Sequence, residues 1–97
     1  MNVFIGVGTI FDVQANGKVL KFNLSTQLST QQEKPCVIPC IIFDPVDEIK
    51  DFITDVESTE QVVWMQGKIS SSEYDYNGKT VRKIIVVPFV KSIRVIQ

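Results

Sequence analysis

Two tyrosines, Tyr74 and Tyr76, stand in a polar stretch with no aliphatic residue between Ile69 and Val81. Three cations follow them closely: Lys79, Arg82 and Lys83. Rings and cations on an exposed segment are poor core material. They suit a flexible polyanion that carries flat bases. A base stacked on an aromatic ring gains about 1–3 kcal/mol, and lysine or arginine neutralises phosphate. Glu73 and Asp75 flank Tyr74 and oppose this reading, because carboxylates repel phosphate. Phe43, Trp64 and Lys68 extend the same side-chain chemistry to two other stretches. Each has a plainer reading: Phe43 and Trp64 as core, the tyrosines as a subunit contact, the cations as a solvated strand face.

Catalytic chemistry finds little support. The chain has no histidine, no glycine-rich phosphate loop and only two cysteines, Cys36 and Cys40. On one strand those cysteines lie about 13 Å apart, too far for a disulfide. Two cysteines without histidine are a weak start for zinc, so neither metal nor cofactor is expected. The acids Asp44, Asp47, Glu48, Asp51, Asp55, Glu57 and Glu60 lie in one segment with a single base, Lys50. They read as the wet face of an amphipathic helix, not as paired catalytic carboxylates. That clustering leaves nine bases against four acids elsewhere, although the whole chain carries −1. One surface can therefore attract phosphate while another is acidic.

The elements that must position these residues follow from pattern. Asn2 to Val13 is rich in strand formers, with Gly6 and Gly8 marking a bend or a close backbone approach. Gln14-Ala15-Asn16-Gly17 is a turn. Lys18 to Thr26 alternates, with Leu20, Phe22 and Leu24 on one face and Val19, Lys21, Asn23 and Ser25 on the other. Gln27 to Lys34 is a polar loop. Cys36 to Phe43 is a third strand, and Pro39 places an edge or a bulge inside it. Asp44-Pro45 opens a helix with Asp44 as N-cap. Val46, Ile49, Phe52, Ile53 and Val56 form its apolar face, and Glu57 to Glu60 its polar exit. Val62 to Ile69 and Val81 to Val87 are the arms of a long hairpin that turns at Asn77-Gly78. Alternation sets Trp64, Gln66 and Lys68 opposite Val63, Met65 and Ile69. Pro88 interrupts the second arm, and Val90 to Ile96 extends it. Three strands, one helix and a two-stranded hairpin give an all-β, five-stranded OB-fold, a Greek-key barrel with the helix between strands 3 and 4. Residues 1–97 read as one such domain.

The chain resembles bacterial-type single-stranded DNA-binding proteins along nearly its whole length. Gly8-Thr9-Ile10 is similar to the end of the family's first strand. Asn16-Gly17 with Phe22-Asn23-Leu24-Ser25-Thr26 resembles its first turn and second strand. Ile41-Ile42-Phe43 is similar to its third strand, and Val63-Trp64-Met65-Gln66-Gly67-Lys68-Ile69 to its fourth. Tyr74, Asn77-Gly78 and Ile85-Val86-Val87 match the aromatic, turn and exit of its hairpin. The resemblance implies base stacking at Phe43 and Tyr74, an aromatic position at Trp64, and phosphate contacts near Lys68, Lys79, Arg82 and Lys83. Tyr76 joins this set from its place beside Tyr74. Val37 stands where the family has tryptophan, the loop after Thr26 lacks a second aromatic, and a short form without the family's acidic tip is expected.

The expected function is non-catalytic binding and protection of single-stranded DNA in replication, recombination and repair, with RNA a less favoured ligand. An OB-fold interaction module with weak strand binding, such as a primosome-type partner, is the competing reading. The resemblance implies a homotetramer, with a dimer as the alternative. No apolar run approaches the roughly 20 residues that span a bilayer, so no membrane partner is expected. Without a signal-like N-terminus, the expected setting is the bacterial cytoplasm or nucleoid, or an organelle that makes its own proteins.

Overall fold

The computed structural model describes residues 2–26 and 36–96. The strands are β1 (Val3–Asn16), β2 (Val19–Thr26), β3 (Cys36–Phe43), β4 (Val62–Tyr76) and β5 (Lys79–Val95), with helix α1 (Asp47–Ser58) between β3 and β4. They close into a barrel in the order β1-β2-β3-β5-β4. All neighbours are antiparallel except β3 and β5, which meet in parallel at Cys40 and Val86. This is the OB-fold expected from the order of elements. The expected loop from Gln27 to Lys34 lies outside the described residues.

Alternation builds the interior. Leu20, Phe22 and Leu24 from β2, Cys40 and Ile42 from β3, and Val63 and Met65 from β4 are all buried. Helix α1 plugs the barrel with Ile49, Ile53 and Val56. Each fully buried side chain of this size contributes about 1.5–3 kcal/mol. Gly8 is needed where β1 crosses β2, because a Cβ there would collide with the Ser25 carbonyl oxygen. The close approach expected from glycine within the strand is therefore real.

Three boundaries differ from expectation. Strand β1 runs on to Asn16, because Gln14, Ala15 and Asn16 pair with Lys21, Leu20 and Val19. The turn shrinks to Gly17-Lys18, with Gly17 at φ +57°. Asp44 is not the helix cap. It sits at φ +48°, and its N–H donates to the Lys18 carbonyl at 2.7 Å, tying the end of β3 to the first turn. An N-cap residue has extended backbone, and Asp44 in the left-handed region does not, so the helix does not start there. Val46 takes the cap position, with no side-chain hydrogen bond. Pro39 causes no bulge: the β2–β3 ladder passes through it in register, opposite Asn23. It lies instead beside the short β3–β5 contact, on an edge that carries few rungs.

The hairpin forms as the Asn-Gly pair requires. Asn77 and Gly78 take φ values of +51° and +77°, a turn whose twist matches the strands. An unbroken ladder runs from Lys68 opposite Val87 out to Tyr76 opposite Lys79. Residues 71–80 are all exposed, so the hairpin stands clear of the barrel. At its root the register shifts: Gly67 faces Pro88 while Met65 faces Ile93. Pro88 thus falls at an irregularity within β5 instead of ending it.

Candidate nucleic-acid interface

The unbroken hairpin ladder sorts its side chains into two faces, because successive strand residues point to opposite sides. One face carries Lys68, Ser70, Ser72, Tyr74 and Tyr76 on β4, against Val87, Ile85, Lys83, Val81 and Lys79 on β5. It holds three lysines, two tyrosines and no acid. The other face carries Glu73, Asp75, Thr80, Arg82 and Ile84. There Arg82 Nε donates to Glu73 Oε1 at 2.8 Å, and the Thr80 hydroxyl donates to Asp75 Oδ1 at 3.3 Å. The two acids that seemed to spoil Tyr74 therefore face away from it.

The lysine-bearing face continues onto the barrel. A cavity of about 280 Å³ lies at the junction. Ser72, Lys83 and Ile85 from the hairpin meet Pro39 and Ile41 from β3, Lys21 and Asn23 from β2, and Asp12 and Gln14 from β1. Phe43 stands two residues beyond Ile41 on β3, and Tyr74 two beyond Ser72 on β4, a step of roughly 7 Å in each case. Phe43 is 59% exposed, Tyr74 49% and Tyr76 64%, so none of the three rings is core. The rings do not line the cavity; they stand on the strands that do, Phe43 toward one end and Tyr74 toward the hairpin tip.

Not every residue singled out in the sequence belongs to this surface. Arg82 and Lys83 are consecutive on β5 and so cannot share a face; Lys83 lines the cavity, while Arg82 is held by Glu73 on the far side. Trp64 is outward and half-buried, as alternation predicted, but it pairs with Val7 and Arg94 in the body of the barrel. Ten residues of strand, roughly 33 Å, separate it from Tyr74. Around it the outer surface carries several apolar side chains: Val3, Ile5, Val7 and Val62 are all exposed, Ile5 by 61%, with Gln66 opposite Ile5. Lys68 lies where the two surfaces meet, opposite Val3 on one side and Val87 on the other.

No family model matches the sequence, and no curated protein shows a sequence match to it. Solved structures do match in shape. The chain is similar to the mitochondrial single-stranded DNA binding protein Rim1 of S. cerevisiae, with a TM-score of 0.77 and 13% identity. That match covers 99% of this chain and 95% of the yeast one. It is also similar to Plasmodium falciparum SSB, solved in complex with ssDNA, with a TM-score of 0.70 and 14% identity over 100% of this chain and 96% of that one. At such identities the likeness is one of fold.

Most residues lining the cavity escaped the sequence reading, Lys21, Asn23 and Asp12 among them. Lys21 and Asn23 were visible only as the polar face of β2, with nothing to say which neighbour they met. Asp12 was invisible, because its position depends on a bulge. Phe11 pairs with Asn23 but Gln14 with Lys21, so β1 carries one extra residue, and Asp12 takes φ +56°. The N–H of Val13 donates to Glu57 Oε2 at 3.0 Å, which fixes the bulge to the end of α1.

Small buried or half-buried side chains were expected at both cysteines, and only Cys40 fits. Cys36 is exposed and Cys40 is buried. Burial pushes the Cys40 thiol up to about 12, and its sulfur sits 3.9 Å from Met65 Sδ. Among the described residues no group of His, Cys, Asp or Glu is arranged to hold a metal ion. No described helix is long and apolar enough to cross a membrane.

Proposed function

We propose that this protein binds single-stranded DNA without catalysis, along the groove formed by the hairpin and the outer faces of β2 and β3. The observation that carries the reading is the sorting of the hairpin: Tyr74, Tyr76, Lys79 and Lys83 share one face, and both hairpin acids share the other. Bases stack on Tyr74, Tyr76 and Phe43, while Lys21, Lys79, Lys83 and Lys68 follow the phosphates. Such contacts read backbone and ring faces, so sequence preference along most of the strand is small. The fold likeness to two single-stranded DNA-binding proteins supports the reading. Roles in replication, recombination and repair follow from the same chemistry, since each exposes unpaired strands.

The apolar strip of Val3, Ile5, Val7, Val62 and Trp64 supports self-association, because a second copy would cover it. We assign Trp64 to that contact and not to stacking. A homotetramer accommodates a wrapped strand better than a lone barrel does. The test is titration of labelled oligo-dT at several salt concentrations, with light scattering on the same sample. Log K falls linearly with log salt, by roughly 0.7 for each phosphate neutralised. Affinity that ignores salt overturns the proposal.

A further inference from the structure

The cavity in the groove holds a feature that phosphate binding does not explain. Asp12 is a carboxylate on a surface otherwise supplied with lysines. Its left-handed backbone costs free energy, of order 1 kcal/mol or more, and such strain persists only where its surroundings enforce it. Here the Val13–Glu57 hydrogen bond enforces it from behind. Asp12 forms no ion pair with Lys21 or Lys83; the ion pairs among the described residues are Lys50–Asp47 and Arg82–Glu73. Asp12, Lys21 and Lys83 therefore all line the cavity with no ion pair among them. Pro39, Ile41 and Ile85 supply apolar lining beside the polar groups, and its size suits one flat base. Pockets for larger organic ligands start near ~300 Å³.

We infer that this cavity takes one base turned out of the bound strand, and that Asp12 makes guanine the favoured base there. The inference deepens the strand-binding reading and rests on it. An ionised carboxylate only accepts hydrogen bonds. Guanine offers it two adjacent donors, N1–H and N2–H. Its O6 and N7 are acceptors, the atoms that lysine commonly contacts. One carboxylate and one lysine thus match two edges of the same ring. Thymine presents a single N3–H between two carbonyl oxygens, which a carboxylate repels. Cytosine and adenine each place a ring acceptor beside their amino group. Hydrogen bonding to the edges of a splayed-out base is how single strands are read with specificity. The apolar lining supports the ring, and Asn23 and Ser72 supply further polar contacts.

The test compares affinities of the full chain for three strands of about 30 nucleotides by competition anisotropy. One is all thymine, one has a single central guanine, and one has hypoxanthine there, which lacks the N2 amine. The guanine strand binds roughly tenfold tighter than the thymine strand, with hypoxanthine between them. Asp12→Asn and Asp12→Gly both tolerate a left-handed backbone, and both bring the guanine-to-thymine ratio close to one. A wild-type ratio near one, with both strands bound, overturns the guanine site and leaves strand binding standing. So does a ratio that survives in both variants. Failure to bind any of the three strands overturns the strand-binding reading itself.

Discussion

The barrel has two outward surfaces built by the same alternation rule, and they could hardly differ more. Where β1 meets β4, the outward positions include Val3, Ile5, Val7, Val62 and Trp64, with Gln66 opposite Ile5 and Lys68 at the margin opposite Val3. Where β2 and β3 meet the hairpin, they are Lys21, Asn23, Phe43, Lys83 and Tyr74. The first surface gains by leaving water, so its natural cover is another apolar surface. The second keeps its cations wet and its rings isolated, so its natural cover is a charged strand with flat bases. What separates the two is the side chain at every second position, with the backbone geometry held common. A barrel of this kind can therefore assemble and bind on different sides without either interfering with the other.

That division can be broken from either side. The largest effect is expected from Ile5→Glu, which places a charge in the centre of the apolar strip. Burying an unpaired carboxylate costs several kcal/mol, roughly, so light scattering should report a smaller assembly. An unchanged mass would remove the strip from the contact. Next comes Tyr74→Ala, expected to weaken oligo-dT binding by about 1–3 kcal/mol in anisotropy titrations while the assembled mass stays the same. A loss of mass instead would place Tyr74 in the subunit contact. Smaller still is the separation of two neighbouring cations. Lys83→Gln should lower the salt slope by roughly 0.7, and Arg82→Gln should leave it where it was, since Glu73 already occupies that guanidinium. Equal slopes for the two variants would erase the distinction between the hairpin faces.

The smallest effect concerns the two thiols of β3, one exposed and one buried. A disulfide reagent at neutral pH should label Cys36 and spare Cys40 until the chain unfolds. The folded Cys40 thiol holds its proton up to about 12, whereas the ordinary value is 9.0. Between those values the unfolded chain releases a proton that the folded chain retains. The Cys40 contribution to stability is therefore lost as pH rises above about 9. Denaturation of Cys40→Ala alongside the parent should show a shallower decline over that range.

Much of the fold was legible because the relevant signals are local. Leu20, Phe22 and Leu24 alternate with polar residues, and that alone gives a half-buried strand. Asn77-Gly78 gives the turn, and the spacing of Ile49, Ile53 and Val56 gives the helix. The rings were legible as candidates from their polar surroundings. Other features depend on which strand lies beside which. The bulge at Asp12 exists only because β1 and β2 slip by one residue, and no residue type announces it. The helix start moved because Asp44 found a partner in the Lys18 carbonyl, 26 positions earlier in the chain. Trp64 and Tyr74 are both outward on one strand, yet the length of that strand puts them on separate surfaces. The ladder of β4 and β5 also sent Arg82 and Lys83, read as one basic cluster, to opposite sides.

The irregularity at Pro88 has a mechanical consequence. From Ile69 to Tyr76 the hairpin extends about 23 Å beyond its root, so a pivot of ~5° at that root would swing the tip by about 2 Å. The rungs above the root stay in register during such a swing, and Ile85 moves with the arm while Pro39 and Ile41 stay with β3. The arm would then act as an adjustable jaw over β3, opening for the wider purines and closing on the narrower pyrimidines.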